Sequence, residues 1–226
     1  MKQAQQIILA GNAITADILY AYLRNDARYE VLGLTVDDDF LSQGGVDGLT
    51  AVGLSHVSEV FSPQRCRVIM AAGYNDLNRV RESLFTRLKG MGYEIETYVH
   101  PDARVYTTTP LGEGSIVLPA AVIEPHACVG ANTMVWCNVT LAHHSSVAEN
   151  CWIAAGTVIS GQAKVLRNSF VGVNATVVND VTVGEYNIVG ANALISRCTK
   201  SHAVNLARSA EPFRYSSEDY VKYFGI

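Results

Sequence analysis

The side chains best suited to acid–base chemistry in this sequence are its six histidines, and three of them are related by position: His126 and the adjacent pair His143 and His144. Imidazole titrates at about 6.5, so it can take up and return a proton at neutral pH. His56, His100 and His202 stand apart and read as structural or surface residues. A second group with chemical potential lies in the first hundred residues, where Asp37, Asp38 and Asp39 follow an apolar run. The five cysteines, Cys66, Cys128, Cys137, Cys151 and Cys198, are odd in number and lack CxxC spacing. They read as reduced thiols of a cytoplasmic protein, neither a disulfide framework nor a zinc site.

The histidine trio is set in a repeat. Every sixth residue from Val99 through Val117, Val135, Ile153 and Val171 to Ile195 is aliphatic, without an insertion. A period of six fits neither a helical stripe nor simple strand alternation. The residue four after each anchor is usually small, as at Ala121, Ala127 and Thr133, so positions i+4 and i+6 point inward and i+5 outward. Positions i+2 and i+3 must then turn a corner. Position i+3 is rich in Asn, Gly and Asp, the types that tolerate a left-handed backbone. Three such edges make a coil of eighteen residues, so residues eighteen apart stack, and the reading is a parallel β-helix over about Val99–Thr199. In the hexad from Leu141 to Ser146, His143 is i+2 and His144 is i+3. His126 precedes His144 by one coil, so these two should stack; each also suits a left-handed turn, where histidine is enriched. His143 has no such conformational reason to be present and is the candidate general base.

Stacking by eighteen sorts the outward residues into three faces. One is apolar: Ile116, Met134, Trp152, Phe170 and Ile188. A contiguous apolar stripe marks a contact, and a three-sided prism suits a cyclic homotrimer, so burial between subunits is expected, with cover by the N-terminal domain or the tail as the alternative.

The first 98 residues read as alternating strands and helices: a strand at Ile7–Gly11, a helix at Asp17–Leu23, a strand at Val31–Val36, a strand at Val68–Ala72, a helix to about Leu88 and a last strand at Tyr93–Val99. This implies a small Rossmann-like α/β domain with a parallel sheet. The N-terminal apolar run reads as the first strand and not as a signal peptide. Ligands in such sheets sit beyond the strand C-termini, which places Gly11, Asn12, Ala13, Asp37, Asp38, Tyr74 and Asn75 along one candidate binding edge. Without a GxGxxG turn a dinucleotide cofactor is not expected. The expected domains are 1–98 (Rossmann-like, nucleotide-sugar-binding), 99–200 (β-helix) and a tail, 201–226, in which Ser216 and Asp219 can cap a short helix. A net charge of −4 gives no electrostatic ground for nucleic acid or an anionic membrane as partner, and no apolar run approaches the ~20 residues of a membrane span.

In this plan the chain resembles the bacterial sugar N- and O-acetyltransferases with hexapeptide repeats, including sialic acid O-acetyltransferase-like proteins and the N-acetyltransferases of bacillosamine and perosamine biosynthesis. The resemblance runs through roughly Thr199 and is most specific over Leu141–Gly161, where the family carries its catalytic histidine between carboxylates. It implies a left-handed β-helix, His143 as base with His144 in the catalytic corner, and acetyl-CoA contacts at Gly161, Gly190 and Ala191. The chain departs from the family at five places, one of which is the absence of the usual VPA segment after the last coil. His144 replaces the carboxylate after the histidine; Trp152 stands where the family has a second histidine, at a position where it would contact substrate; Trp136 replaces an asparagine; and only Gly11 remains of the glycine-rich turn.

The expected activity is therefore transfer of an acetyl group from acetyl-CoA to the amino group of a nucleotide-linked deoxy-amino sugar, in bacterial surface glycan biosynthesis, without a metal. The alternative is a sugar O-acetyltransferase of the same fold. A metal-dependent hydratase using His126, His143 and His144, and a non-enzymatic β-helix protein, are more distant readings.

Overall fold

In the computed structural model, which describes residues 4–225, two units share one continuous interface. Residues 1–3 and 226, included in the expected outer segments, lie outside the described residues. The first unit contains β1 (Gln5–Ala10), α1 (Ile14–Leu23), β2 (Tyr29–Val36), β3 (Ala51–Gly53), α2 (Val57–Val60), β4 (Arg67–Met70) and α3 (Arg79–Gly90). Its four strands form a parallel sheet in the order β3-β2-β1-β4. The run from Ile7 to Ala10 is apolar throughout because both faces of the central strand are covered. Ile7 and Leu9 pack with Leu19 and Leu23 of α1, while Ile8 and Ala10 pack with Leu84 and Leu88 of α3.

Three sequence expectations change here. α1 starts at Ile14, three residues before Asp17. β3 is an added edge strand. The segment from Tyr93 to Val99 is not a strand of this sheet: Ile95 makes one isolated bridge to Val68, and Tyr98–Val99 pairs instead with Ile116–Val117. Tyr98 is fully buried at that junction, so the chain enters the β-helix two residues after leaving the sheet.

The second unit is a left-handed β-helix of two-residue strands stacked in three parallel sheets. The coil-to-coil register is eighteen residues on every face: Met134 pairs with Trp152, Thr140 with Val158 and Ser146 with Lys164. From Gly114 to Asn192 every sixth residue has positive φ, including His126 and His144. The last coil departs from the repeat. Val204–Asn205 pairs with Ile188–Val189 at an interval of sixteen, so the β-helix extends past Thr199 and His202 takes the left-handed turn position. Val105, an anchor of the sequence repeat, is exposed in the first coil.

The apolar first face is covered within the same chain. Ile116 and Met134 are fully buried and Trp152 nearly so, in one cluster with Leu9, Ala16 and Leu19 of the α/β unit. The Tyr74 ring lies 5.0 Å from Trp152 and 4.8 Å from Phe170. This corrects the expectation that the stripe is a contact between subunits: a stripe needs an apolar partner, and α1 with the Tyr74 loop provides it. The interface is pinned by Arg81, fully buried, whose Nε donates to Asn132 O (3.0 Å) and whose Nη1 donates to Met70 O (3.0 Å) and Ala72 O (2.9 Å). Burial without a carboxylate partner pulls its pKa down to about 9, so it remains charged at neutral pH.

After Asn205 the chain leaves the β-helix and ends in α4 (Ser217–Phe224), whose Ser216 hydroxyl accepts the Asp219 N–H at 3.1 Å. No helix of the described residues is long and apolar enough to cross a membrane.

Candidate active site at a corner of the β-helix

His143 stands on the corner between the second face (Thr140–Leu141) and the third (Ser146–Val147), exposed to solvent. Four features of the repeat fix it there. Its main-chain N–H donates to Glu124 Oε2 at 2.7 Å, and Glu124 belongs to the preceding coil. Its carbonyl accepts the Gln162 N–H at 3.0 Å from the following coil. Its Nδ1 lies 3.3 Å from Nδ1 of His144. Its ring lies over Gly161, where a Cβ would sit 2.6 Å from Cε1 and 2.7 Å from Nε2. His144 has φ +59° and His126 φ +65°, and their rings lie 4.6 Å apart at 31°, so the expected stacking is realised and both residues occupy left-handed turns.

His143, His144 and Gly161 are thus brought together. Among the described residues the Gly161 N–H has no protein acceptor, so it is free to donate to a bound group. An imidazole and an unpaired N–H at one corner can remove a proton from a nucleophile and hold a developing oxyanion. Glu124 was not singled out from the sequence, although stacking by eighteen places it above Ala142, next to His143. No three of the described His, Cys, Asp or Glu side chains converge into a metal-binding cluster.

The candidate binding edge of the α/β unit does form along the ends of β1, β2 and β4, but much of it is engaged by the chain itself. Gly11 has φ +137°, and a Cβ there would meet the Ala71 carbonyl carbon at 2.6 Å. The buried Asn12 side chain donates to Phe40 O (2.8 Å) and Gln43 O (3.3 Å), and Ala13 precedes α1 as its N-cap. Asp37 is paired with the Arg87 guanidinium. Asp38 accepts the Ser55 hydroxyl (2.6 Å) and N–H (3.1 Å), which hold its pKa below the ordinary carboxylate value. Tyr74 and Asn75 are exposed, with Tyr74 resting on Trp152. Trp152 is itself buried between Tyr74 and Trp136, on the first face and away from the His143 corner. Gly190 and Ala191 mark a third location, the corner between the first and second faces.

No protein-family model and no curated protein sequence matches the chain. Solved structures do. A His-to-Asn mutant of perosamine N-acetyltransferase from Caulobacter crescentus, in complex with CoA and GDP-perosamine, matches with a TM-score of 0.80 at 22% identity, over 91% of this chain and 95% of that one. The acetyltransferase domain of PglB from Neisseria gonorrhoeae, in complex with acetyl coenzyme A, matches with a TM-score of 0.60 at 22% identity, over 93% and 100%. WeeI from Acinetobacter baumannii matches with a TM-score of 0.78 at 17% identity, over 92% and 99%. The shared feature is the fold: a parallel α/β unit followed by a β-helix.

Proposed function

We propose that the chain is an acetyl-CoA-dependent N-acetyltransferase acting on a nucleotide-linked deoxy-amino sugar in bacterial surface glycan biosynthesis. The observation that carries this reading is the His143 ring lying over Gly161, with the Gly161 N–H unpaired beside it. The amine nitrogen attacks the thioester carbonyl and gives its proton to His143 Nε2. The Gly161 N–H stabilises the oxyanion, a contribution of about 3–4 kcal/mol where one such donor has been removed elsewhere. As the carbon–sulfur bond breaks, the thiolate recovers the proton from Nε2, leaving an amide and free CoA. The reaction uses two substrates and needs no metal. Support for the substrate class comes from the Caulobacter enzyme, which binds CoA and GDP-perosamine on this fold.

A coenzyme reaching from Gly161 to Gly190 and Ala191 would cross the second face, where Val158 and Thr176 are half-buried and Leu194 is exposed. The amino-sugar nucleotide would rest on the edge near Asp38, Tyr74 and Asn75. In one chain this edge borders the first face, whereas His143 lies between the other two. The edge of one copy therefore serves the His143 of another, and a homotrimer in contact through the second and third faces satisfies that requirement. The domain roles follow: the α/β unit holds the nucleotide, the β-helix, which continues to Asn205, performs the transfer, and the segment after Asn205 forms the tail. Use of acetyl-CoA and a nucleotide sugar, both cytoplasmic metabolites, supports a cytoplasmic location.

The test is a panel of UDP-, dTDP- and GDP-linked amino sugars with acetyl-CoA, followed by free thiol release. Release that requires the amino group supports the reading. Release only with sugars lacking an amine turns it into O-acetyl transfer, and failure to bind acetyl-CoA contradicts it.

A further inference from the structure

The contact between His143 Nδ1 and His144 Nδ1, at 3.3 Å, decides what His143 can do. Two neutral imidazoles share one proton across such a contact, so one Nδ1 donates and the other accepts. If His144 donated, His143 would hold its own proton on Nε2 and could not accept another there. If His143 donates, its Nε2 keeps a free lone pair. We infer that His144 is a positioning residue that holds His143 in this second tautomer, the one that can act as a base. The inference rests on the acetyl-transfer reading for its catalytic consequence, but the tautomer can be tested apart from it.

Both rings are held where this requires. His144 sits in a left-handed turn of the repeat and stacks on His126 from the preceding coil. His143 is fixed through its N–H by Glu124 and through its ring by the missing Cβ of Gly161. When His143 takes up the substrate proton, its Nδ1–H still points at His144 Nδ1 and no group has to turn, which is the property a preorganised site needs. A neutral imidazole, unlike a carboxylate, loses this capacity in acid. Protonated His144 carries hydrogen on both nitrogens and has no acceptor to offer. Glu124 and His126 of the preceding coil also face the pair.

The experiment compares His144→Gly with His144→Asn. Both residue types accept the left-handed backbone, but only asparagine offers an oxygen to the His143 proton. His144→Gly should lower kcat about tenfold or more, within the range seen when a partner that orients a functional histidine is lost, with KM for acetyl-CoA and the thermal midpoint nearly unchanged. His144→Asn should recover several-fold over the glycine variant. Heteronuclear NMR of the imidazole nitrogens should find the native His143 proton on Nδ1. A glycine variant with native kcat, or a His143 proton on Nε2, would overturn the positioning role. A protein with the Nδ1 tautomer that transfers no acetyl group would overturn the acetyl-transfer reading and leave the hydrogen bond standing.

Discussion

Gly161 lies directly beneath His143, one coil on, and its missing Cβ is the space that the imidazole occupies: a methyl group there would stand 2.6 Å from Cε1. The glycine is not required by its backbone, because Gly161 is not among the positive-φ residues. It is required by the ring above it. Gly161→Ala should therefore leave folding intact, with an unfolding midpoint close to native, while pushing the His143 ring off its site. A displacement of about 1 Å at a reacting group can cost about 10²-fold, so kcat should fall by that order with acetyl-CoA still bound. Steady-state kinetics beside a thermal melt would check both halves, and an alanine variant with native turnover would show that the ring does not work from this position.

Trp152 belongs to the interface between the two units, packed against Tyr74 and Trp136. Trp152→Glu would bury an unpaired carboxylate there and should destabilise the fold by at least about 3 kcal/mol or make the protein insoluble. Because the contact is within one chain, the loss measured by urea unfolding should not depend on protein concentration. A loss that shrinks as concentration rises would place Trp152 between subunits instead.

Arg81 gives the same interface a polar test. Arg81→Met removes three hydrogen bonds to buried carbonyls and should cost roughly 2–4 kcal/mol in urea unfolding. The pH dependence follows from the depressed pKa. Folded and unfolded chains both hold the proton below about 9; between there and the ordinary arginine value the unfolded chain holds more, so stability rises with pH only in that alkaline window. The cost of Arg81→Met should accordingly be the same at pH 6 and pH 8. A cost that changed across that range would mean that another group titrates with Arg81.

The β-helix could be read from the sequence because its rule is local: one aliphatic anchor per six residues and a turn-tolerant residue midway. The same arithmetic sets His126 against His144, whereas Gly161 enters only through the family resemblance; eighteen residues also separate His143 from Gly161, and Glu124 from Ala142 beside His143. What covers the first face could not be read in this way. An outward Trp152 specifies an apolar partner, but no interval links it to Tyr74 or Leu19, which lie on other elements. The acidic run after β2 was ambiguous for a similar reason. Asp37 looks the same in sequence whether it is free for a ribose or held by Arg87, fifty residues away. The shortened last coil breaks the periodicity itself, so Val204 fell outside the repeat.

The central claim, acetyl transfer with His143 as base, is tested most directly by thiol release from acetyl-CoA by the native protein and by His143→Asn, with one active nucleotide-linked amino sugar. The native protein should turn over, and the variant should lose at least about 10²-fold in kcat while binding acetyl-CoA within a few-fold of native. A variant that turns over as the native protein does would contradict the account, since the reaction would then need no side-chain base at this corner.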